Sequence, residues 1–328
     1  MIKISNHSLD AMAKKFGTHM DALTFVGGGG EESDGILYSY RSGSRDMVLK
    51  ILAISKGNAD RAFKEMDERT RFINYLGRHG MDIAYPVLNT NNNIIETLDT
   101  GDYILVAYAM DRIRGRVPGG NDYTKDFYIR YGTMIGKLHR LTKNYPTWTG
   151  SAPDGGSDVL SWEGEWGSFY SWCKDAEVKQ AWKSLKRELS ELPVTRDTFG
   201  LIHNDPHINN IMLEHDRIVL IDFDVANYHW FANDIAIASQ FLLFSTAGGM
   251  NEPFKDMDGL KFFYTHFMNG YEMENHLDTL FLNKLELFIN YRRLLMYTVS
   301  QSWLESNPED KESWKRMILN SPQLHLFN

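Results

Sequence analysis

The residues best suited to chemistry are gathered in His203-Asn204-Asp205-Pro206-His207-Ile208-Asn209-Asn210, and Asp222-Phe223-Asp224 begins twelve residues after Asn210. Phosphoryl transfer needs this kind of set: a carboxylate to orient a hydroxyl, and an amide plus a carboxylate to hold Mg²⁺ on ATP. On that reading Asp205 orients the acceptor and takes its proton late, Asn210 holds one Mg²⁺, and Asp222 bridges a metal to the phosphates. A metal-hydrolase reading instead makes ligands of His203, Asp205 and His207 at alternate strand positions, which Pro206 opposes by interrupting a regular strand.

These residues need rigid carriers. Leu201-Ile202 and Val219-Leu220-Ile221 read as short buried strands, with Glu214 to Arg217 as the turn of a hairpin. Upstream, Asp46 to Leu52 reads as a strand on which Lys50 shares a face with Val48 and Leu52. A Lys among apolar groups wants an anion, so Lys50 is a candidate for the ATP phosphates and for a helix Glu; a snorkelling edge Lys is the alternative. The helix at 58–79 offers Glu68 as that partner, with Glu65 as its rival, both on the side of Phe72. Gly27 to Gly30 lies between two strands, where Gly29 and Gly30 let backbone N–H groups approach phosphates, or simply make a flexible hairpin turn.

The first ~110 residues read as three strands, a helix and two strands; afterwards helical patterns dominate, at 122–143, 162–191, 231–245, 255–272, 277–305 and 309–319. The expectation is an α+β chain with a small sheet-rich lobe at 1–110 and a larger, mainly helical lobe at 111–328. Gly132-x-x-x-Gly136-Lys137-Leu138-His139 reads as a helix whose small residues permit close packing, with His139 a polar core residue. Asp234 either hydrogen-bonds the 203–210 loop or sits favourably near a helix N-terminus.

Bulk properties narrow the partners. With 328 residues, 43% apolar, the chain is long enough for two modest domains or one large one. A net charge of −8 argues against a nucleic-acid or anionic-membrane surface. The single Cys173 excludes an internal disulfide and any Cys-based zinc site. The first sixteen residues lack the apolar core of a secretory signal and no apolar run approaches the ~18 residues of a membrane span, so a soluble, cytoplasmic protein is expected. Oligomeric state is not legible.

HNDPHINN (203–210), IDFD (221–224), WFANDIAIA (230–238), GTMIGKLH (132–139) and VLKI (48–51) together resemble the aminoglycoside phosphotransferase and choline kinase-like family, which shares the protein kinase-like fold. The resemblance implies a bilobal protein kinase-like fold with an antiparallel-sheet N-lobe, and ATP in the cleft between lobes. It implies Lys50 on the phosphates, adenine against backbone near Tyr108 to Met110, and Asp205 as the catalytic Asp. It further implies Asn210 and Asp222 as Mg²⁺ ligands, Asp224 assisting at a second metal, and His203 shaping the loop. Asn204 and Asp224 stand where protein kinases usually carry Arg and Gly, which favours a small-molecule hydroxyl acceptor over protein. An atypical protein Ser/Thr kinase and a non-catalytic nucleotide-binding module are the competing readings.

Overall fold

The computed structural model describes residues 4–29, 35–146, 160–243 and 257–320, together with Leu324 and Leu326. Its contacts divide the chain into two compact units: Met1–Arg116 with Met212–Asp224, and Val117–Ile211 with Val225–Asn328.

The first unit is built on an antiparallel sheet. Strands β1 (Thr24–Gly28), β2 (Ile36–Ser42), β3 (Arg45–Ser55), β4 (Pro86–Val87), β5 (Ile95–Asp99) and β6 (Tyr103–Asp111) lie in the order β1-β2-β3-β6-β4, with β5 also paired to β6. The period-2 alternation of β3 sends Leu49 and Ile51 to one face, where they pack with Met12 and Phe16 of and beside helix α1 (Asn6–Lys15). On the other face Met66 of helix α2 (Ala59–Arg78) meets Val106 and Tyr108, with Leu52 and Met110 beside them. Lys50 points to this second side, and its strand partner across β6 is Tyr108.

The hairpin of β8 (Ile211–Glu214) and β9 (Arg217–Leu220) is stitched to the N-terminal residues at several points. Leu213 exchanges backbone hydrogen bonds with Arg116 (2.7 and 3.0 Å), and the Leu220 N–H donates to the Asp82 carbonyl (3.1 Å). Phe223, just beyond, packs edge-on against Phe72 of α2. These bonds give the hairpin a fixed end from which the next residues project.

Glu96 on β5 ties down the remaining loop. Its carboxylate accepts from Lys15 and from the amides of Asn89, Asn91 and Asn93. Burial works to raise its pKa, but these donors outweigh it and hold the group down to about 2, against an ordinary 4.5. A depressed folded-state pKa gives stability that is fully present above the unfolded value and is lost as pH falls through the folded one. The difference in urea midpoint between the native chain and Glu96→Gln should therefore be largest above pH 4.5 and shrink between pH 4.5 and about 2. A difference independent of pH would show that the carboxylate's charge contributes nothing.

The second unit is mainly helical: α3 (Lys125–Lys143), α4 (Trp162–Trp172), α5 (Ala176–Ser190), α6 (Phe231–Ala238), α7 (Gln240–Leu243), α8 (Met257–Tyr271), α9 (Thr279–Asn283), α10 (Leu285–Val299), α11 (Gln301–Glu305) and α12 (Pro308–Leu319). A two-stranded antiparallel ladder, β7 (Phe199–Ile202) with β10 (Asn227–Trp230), runs through its core. Three helices expected from periodicity are broken, 231–245 among them, at Ser239. The 162–191 pattern divides at Asp175, whose carboxylate caps α5 by accepting from the Glu177 and Val178 N–H groups. The 277–305 pattern divides at Lys284 and Ser300, where ψ relaxes to 8° and 1°. Apolar spacing alone does not register such breaks. Among the described residues no helix is long and apolar enough to cross a membrane.

The small residues of α3 act as expected. A Cβ on Gly132 would overlap the Phe267 carbonyl of α8, and one on Gly270 of α8 would overlap the Ile129 carbonyl of α3. Two helix backbones are thus in direct contact. Gly132→Ala should lower stability by about 2–3 kcal/mol, because the backbone it strikes cannot rotate away as a side chain can. A urea midpoint unchanged at constant m-value would refute this.

Candidate active site

In the first unit, Lys50 is only 7% exposed and its ammonium is ion-paired to Asp224 and, at 3.3 Å, to Asp222. Burial disfavours the charged form, but the two carboxylates outweigh it and the pKa is raised, so Lys50 stays a cation. The Tyr108 hydroxyl donates to the other oxygen of Asp224 (3.3 Å), and burial beside those carboxylates keeps the phenol protonated. Asp222 has a φ of 64°, in the left-handed region that Asp tolerates better than most residues. That turn places two carboxylates, side chains 48% and 17% exposed, on the one buried ammonium.

These groups stand at a cavity of about 690 Å³. Leu37, Val48, Met110, Ile113, Met212 and Phe223 supply apolar walls; Lys50, Tyr108 and Asp222 also line it. Its volume lies within the range of small-molecule and cofactor pockets. Gly28 and Gly29 both have positive φ (82° and 77°), and the Gly29 N–H donates to the Gly35 carbonyl at 3.0 Å. Gly30 lies outside the described residues.

The expected pairing of Lys50 with a helix Glu is corrected: its ion pairs are Asp222 and Asp224. Glu65 instead holds Arg61 (3.0 Å) and Arg69 (3.7 Å) along α2, and Glu68 sits half-buried on the same helix. A buried ammonium takes the anions nearest its own nitrogen, and the turn after β9 delivers two of them.

In the second unit, a fully buried carboxylate organises the 203–210 loop. Asp234 Oδ1 accepts from the Asn204 N–H (2.7 Å), and Oδ2 accepts from the His203 N–H (3.1 Å). His139 Nε2 also meets Oδ2 (3.1 Å), while its Nδ1 meets the Tyr271 hydroxyl (2.9 Å), which accepts from Asn275 (2.7 Å). Burial outweighs the carboxylate's pull and lowers the His139 pKa, so the ring is neutral, Nε2–H donates to Asp234 and Nδ1 accepts. Every donor in that chain has an acceptor.

Asn204 adopts a φ of 66° and turns the backbone so that Asp205 projects. Asn204 itself donates to Glu165 of α4 and to the Val225 carbonyl (3.1 Å), and accepts from Asn233 (2.8 Å). The Tyr131 hydroxyl donates to the Pro206 carbonyl. His203 Nδ1 accepts from the Asp205 N–H (3.2 Å), the loop-shaping contact expected of it. Pro206 and a single 3₁₀ turn at Ile208–Asn210 replace the strand that a His203-Asp205-His207 ligand set would require.

The Asp205 carboxylate receives Arg292 of α10 on Oδ1 at 2.6 Å. Its Oδ2 has two long contacts, Asn210 Nδ2 at 3.3 Å and His207 Nε2 at 3.4 Å. Burial raises its pKa, but Arg292, His207 and His203 prevail and the net shift is downward. Asn210 Nδ2 makes its shorter bond to the Asp205 carbonyl (2.8 Å), which leaves Oδ1 as the end of the amide suited to a cation.

Sequence reasoning missed Glu165. Its carboxylate also accepts from Asn227 (3.2 Å) and Tyr291 (2.7 Å), and burial raises its pKa despite these donors. An acid flanked by Trp162 and Trp166 is the signal that pointed to it. Tyr228 and Trp230 are core residues of β10, Trp303 is exposed against Trp314, and Glu305 pairs with Lys174. Arg292 and Arg293, adjacent on a helix, point about 100° apart. Arg292 is neutralised by Asp205, while Arg293 bonds Asn290 and lines a cavity of about 450 Å³.

The profile of the phosphotransferase enzyme family matches residues 28–270, well over half the chain. The chain belongs to that family. This phosphotransferase is therefore a small-molecule kinase, an enzyme that moves a phosphoryl group to an alcohol, as the 203–210 and 221–224 motifs led us to expect. Amicoumacin kinase of Bacillus subtilis (strain 168) is 26% identical to it over 333 residues, 96% of this chain and 92% of that protein. An amicoumacin kinase solved with AMP-PNP, Ca²⁺ and Ami has a TM-score of 0.79 at 23% identity, over 94% of this chain and 91% of that one. The microcompartment-associated aminopropanol kinase follows at 0.62 and 20%, over 91% and 89%. A spectinomycin phosphotransferase solved with ADP and spectinomycin scores 0.59 at 16%, over 98% and 96%. These likenesses establish the fold of the phosphotransferase as protein kinase-like, an antiparallel sheet followed by a mainly helical remainder.

Proposed function

We propose that the enzyme transfers the γ-phosphoryl group of ATP, with Mg²⁺, to a hydroxyl of a small amino alcohol of the amicoumacin type. The observation that carries the reading is the Asp205 carboxylate: anchored by a short bond on one oxygen, with two long contacts on the other, on a loop that Asp234 clamps through two backbone N–H groups. The relatives' names support the acceptor class.

The donor set fits ATP and a hard divalent cation. Mg²⁺ is held by oxygen ligands, and Asp222 and Asp224 in the first unit, and Asn210 Oδ1 in the second, are each of a kind that would hold it. Bound Mg·ATP supplies the phosphoryl group with its charge partly neutralised. Lys50 holds phosphate oxygens by exchanging part of its pairing with Asp222 and Asp224 for them. Tyr108 keeps Asp224 oriented, and Met110 forms part of the apolar wall against the base. Gly29, at positive φ, would bring backbone toward the phosphates. Asp205 orients the acceptor hydroxyl; its oxygen forms the new P–O bond while the bond to the β–γ bridging oxygen breaks. ADP leaves with that electron pair and Asp205 receives the proton.

The test is ADP release with Mg·ATP across amicoumacin, aminopropanol, spectinomycin, other aminoglycosides and a generic protein, with the phosphorylated product identified by mass. Release stimulated by an amino alcohol supports the reading. Stimulation by the protein alone would replace it with a protein kinase, and ATP binding without turnover on any acceptor would replace it with a nucleotide-binding module.

A further inference from the structure

The approach of Arg292 to Asp205 links two residues 87 positions apart, and its geometry is more specific than charge neutralisation requires. Arg292 is 8% exposed, next to Arg293 in the middle of α10. Its guanidinium is held at two points on one edge: Nε donates to Gln240 Oε1 at 2.6 Å, and Nη2 donates to Asp205 Oδ1 at 2.6 Å. Two short bonds from a planar group fix the plane as well as the position, which one bond would not. Gln240, the first residue of α7, has no other evident reason to reach an arginine of α10.

The two oxygens of Asp205 are treated unequally. Oδ1 has the short, charge-assisted bond; Oδ2 has only the contacts at 3.3 and 3.4 Å, near the outer limit of hydrogen bonding. A hydroxyl donor reaches a carboxylate at about 2.7 Å, so Oδ2 is the oxygen with unused capacity. Were Arg292 absent, the carboxylate would be free to turn about its χ2 bond and either oxygen would drift toward Asn210 and His207.

We propose that Arg292, latched by Gln240, is the positioning residue of the reaction: it pins Oδ1 so that Oδ2 of Asp205 is presented to the acceptor hydroxyl. The inference rests on the reading of Asp205 given above. Arg292 acts through Asp205, and its guanidinium plane, rather than its charge alone, is what matters.

The experiment measures Mg·ATP turnover, with amicoumacin as acceptor and separately with water as acceptor in slow ATP hydrolysis, which needs no identified alcohol. Arg292→Ala should lower the rate about a hundredfold, the scale on which a 1 Å misplacement acts, with the KM for ATP within about twofold of native. Added methylguanidinium should restore several-fold activity to Arg292→Ala and none to Asp205→Asn. Arg292→Lys keeps the charge but not the two-point plane, and should recover only a minor part. Gln240→Leu leaves Arg292 in place and should still lower the rate several-fold, which keeps the latch testable even where Arg292→Ala folds poorly. Native turnover in Arg292→Ala or in Gln240→Leu overturns the proposal, as does full activity in Arg292→Lys. A loss in Arg292→Ala that tracks a fallen unfolding midpoint and resists methylguanidinium also overturns it, in favour of a structural role. Unchanged turnover in Asp205→Asn is a different failure, that of Asp205's own assignment.

Discussion

Asp205→Asn is expected to lower phosphoryl transfer about a thousandfold and leave ATP binding intact. The substitution is nearly isosteric, so the reason lies in donors and acceptors. Arg292 still demands an acceptor at 2.6 Å, which obliges the amide to turn its oxygen toward that guanidinium. The new N–H₂ group then occupies the place of Oδ2, facing Asn210 Nδ2 and His207 Nε2 with a donor where an acceptor stood. A hydroxyl arriving there finds neither an acceptor nor a base. Lys50, Asp222 and Asp224 are untouched by the change, so nucleotide affinity by calorimetric titration should stay within about twofold of native. Folding stability should fall by about 1–2 kcal/mol, since Arg292 loses its counter-charge but Asp205 is already 24% exposed. A variant that retains a tenth of native turnover would remove Asp205 from the role of base.

Asp234→Ala should have the largest effect on stability, about 3–5 kcal/mol, out of the 5–15 kcal/mol a typical domain has. The carboxylate is fully buried and serves three donors: the N–H groups of His203 and Asn204 and the ring of His139. Removing it strands all three where no water is at hand, and an unmet buried donor costs more than the bond itself was worth. Asp234→Asn should be almost as damaging, because an amide has one oxygen for three donors and directs its own N–H₂ at another. Urea unfolding gives the stability, and a loss below about 1 kcal/mol would mean the loop finds other acceptors. Activity should fall with stability, since Asn204 at φ 66° is what aims Asp205.

What was legible in the sequence was chemistry confined to short segments. His203 to Asn210 and Asp222 to Asp224 declare themselves because their residue types are close together in the chain and each segment follows a short apolar strand. The two faces of β3 were legible for the same reason: a period of two needs only five residues to show. Arg292 stands beside Arg293 in α10, but its partner lies 87 residues away, and nothing in local spacing connects them. Glu165 and Tyr291 meet across 126 residues, with the same result. For Lys50, a pattern of helix acids nearby in the chain drew attention to Glu68, whereas its ion pairs come from the turn after β9. The 212–224 hairpin belongs to the first unit through Arg116, Asp82 and Phe72, contacts that no pattern within the hairpin foretells.

That grouping bears on how the polypeptide is made. Lys50 leaves the ribosome long before its counter-ions, which follow 172 and 174 residues later. Until they arrive, β3 carries a cation on the side of the sheet that Tyr108 and α2 cover, with no anion of its own to neutralise it. Lys50 is thus without these two partners during roughly half of synthesis. A fragment ending at Arg116 holds all six strands of the sheet but lacks the hairpin and both counter-ions of Lys50, which are encoded almost a hundred codons downstream. Neutralisation of the buried Lys50 by these two carboxylates waits for the chain to return.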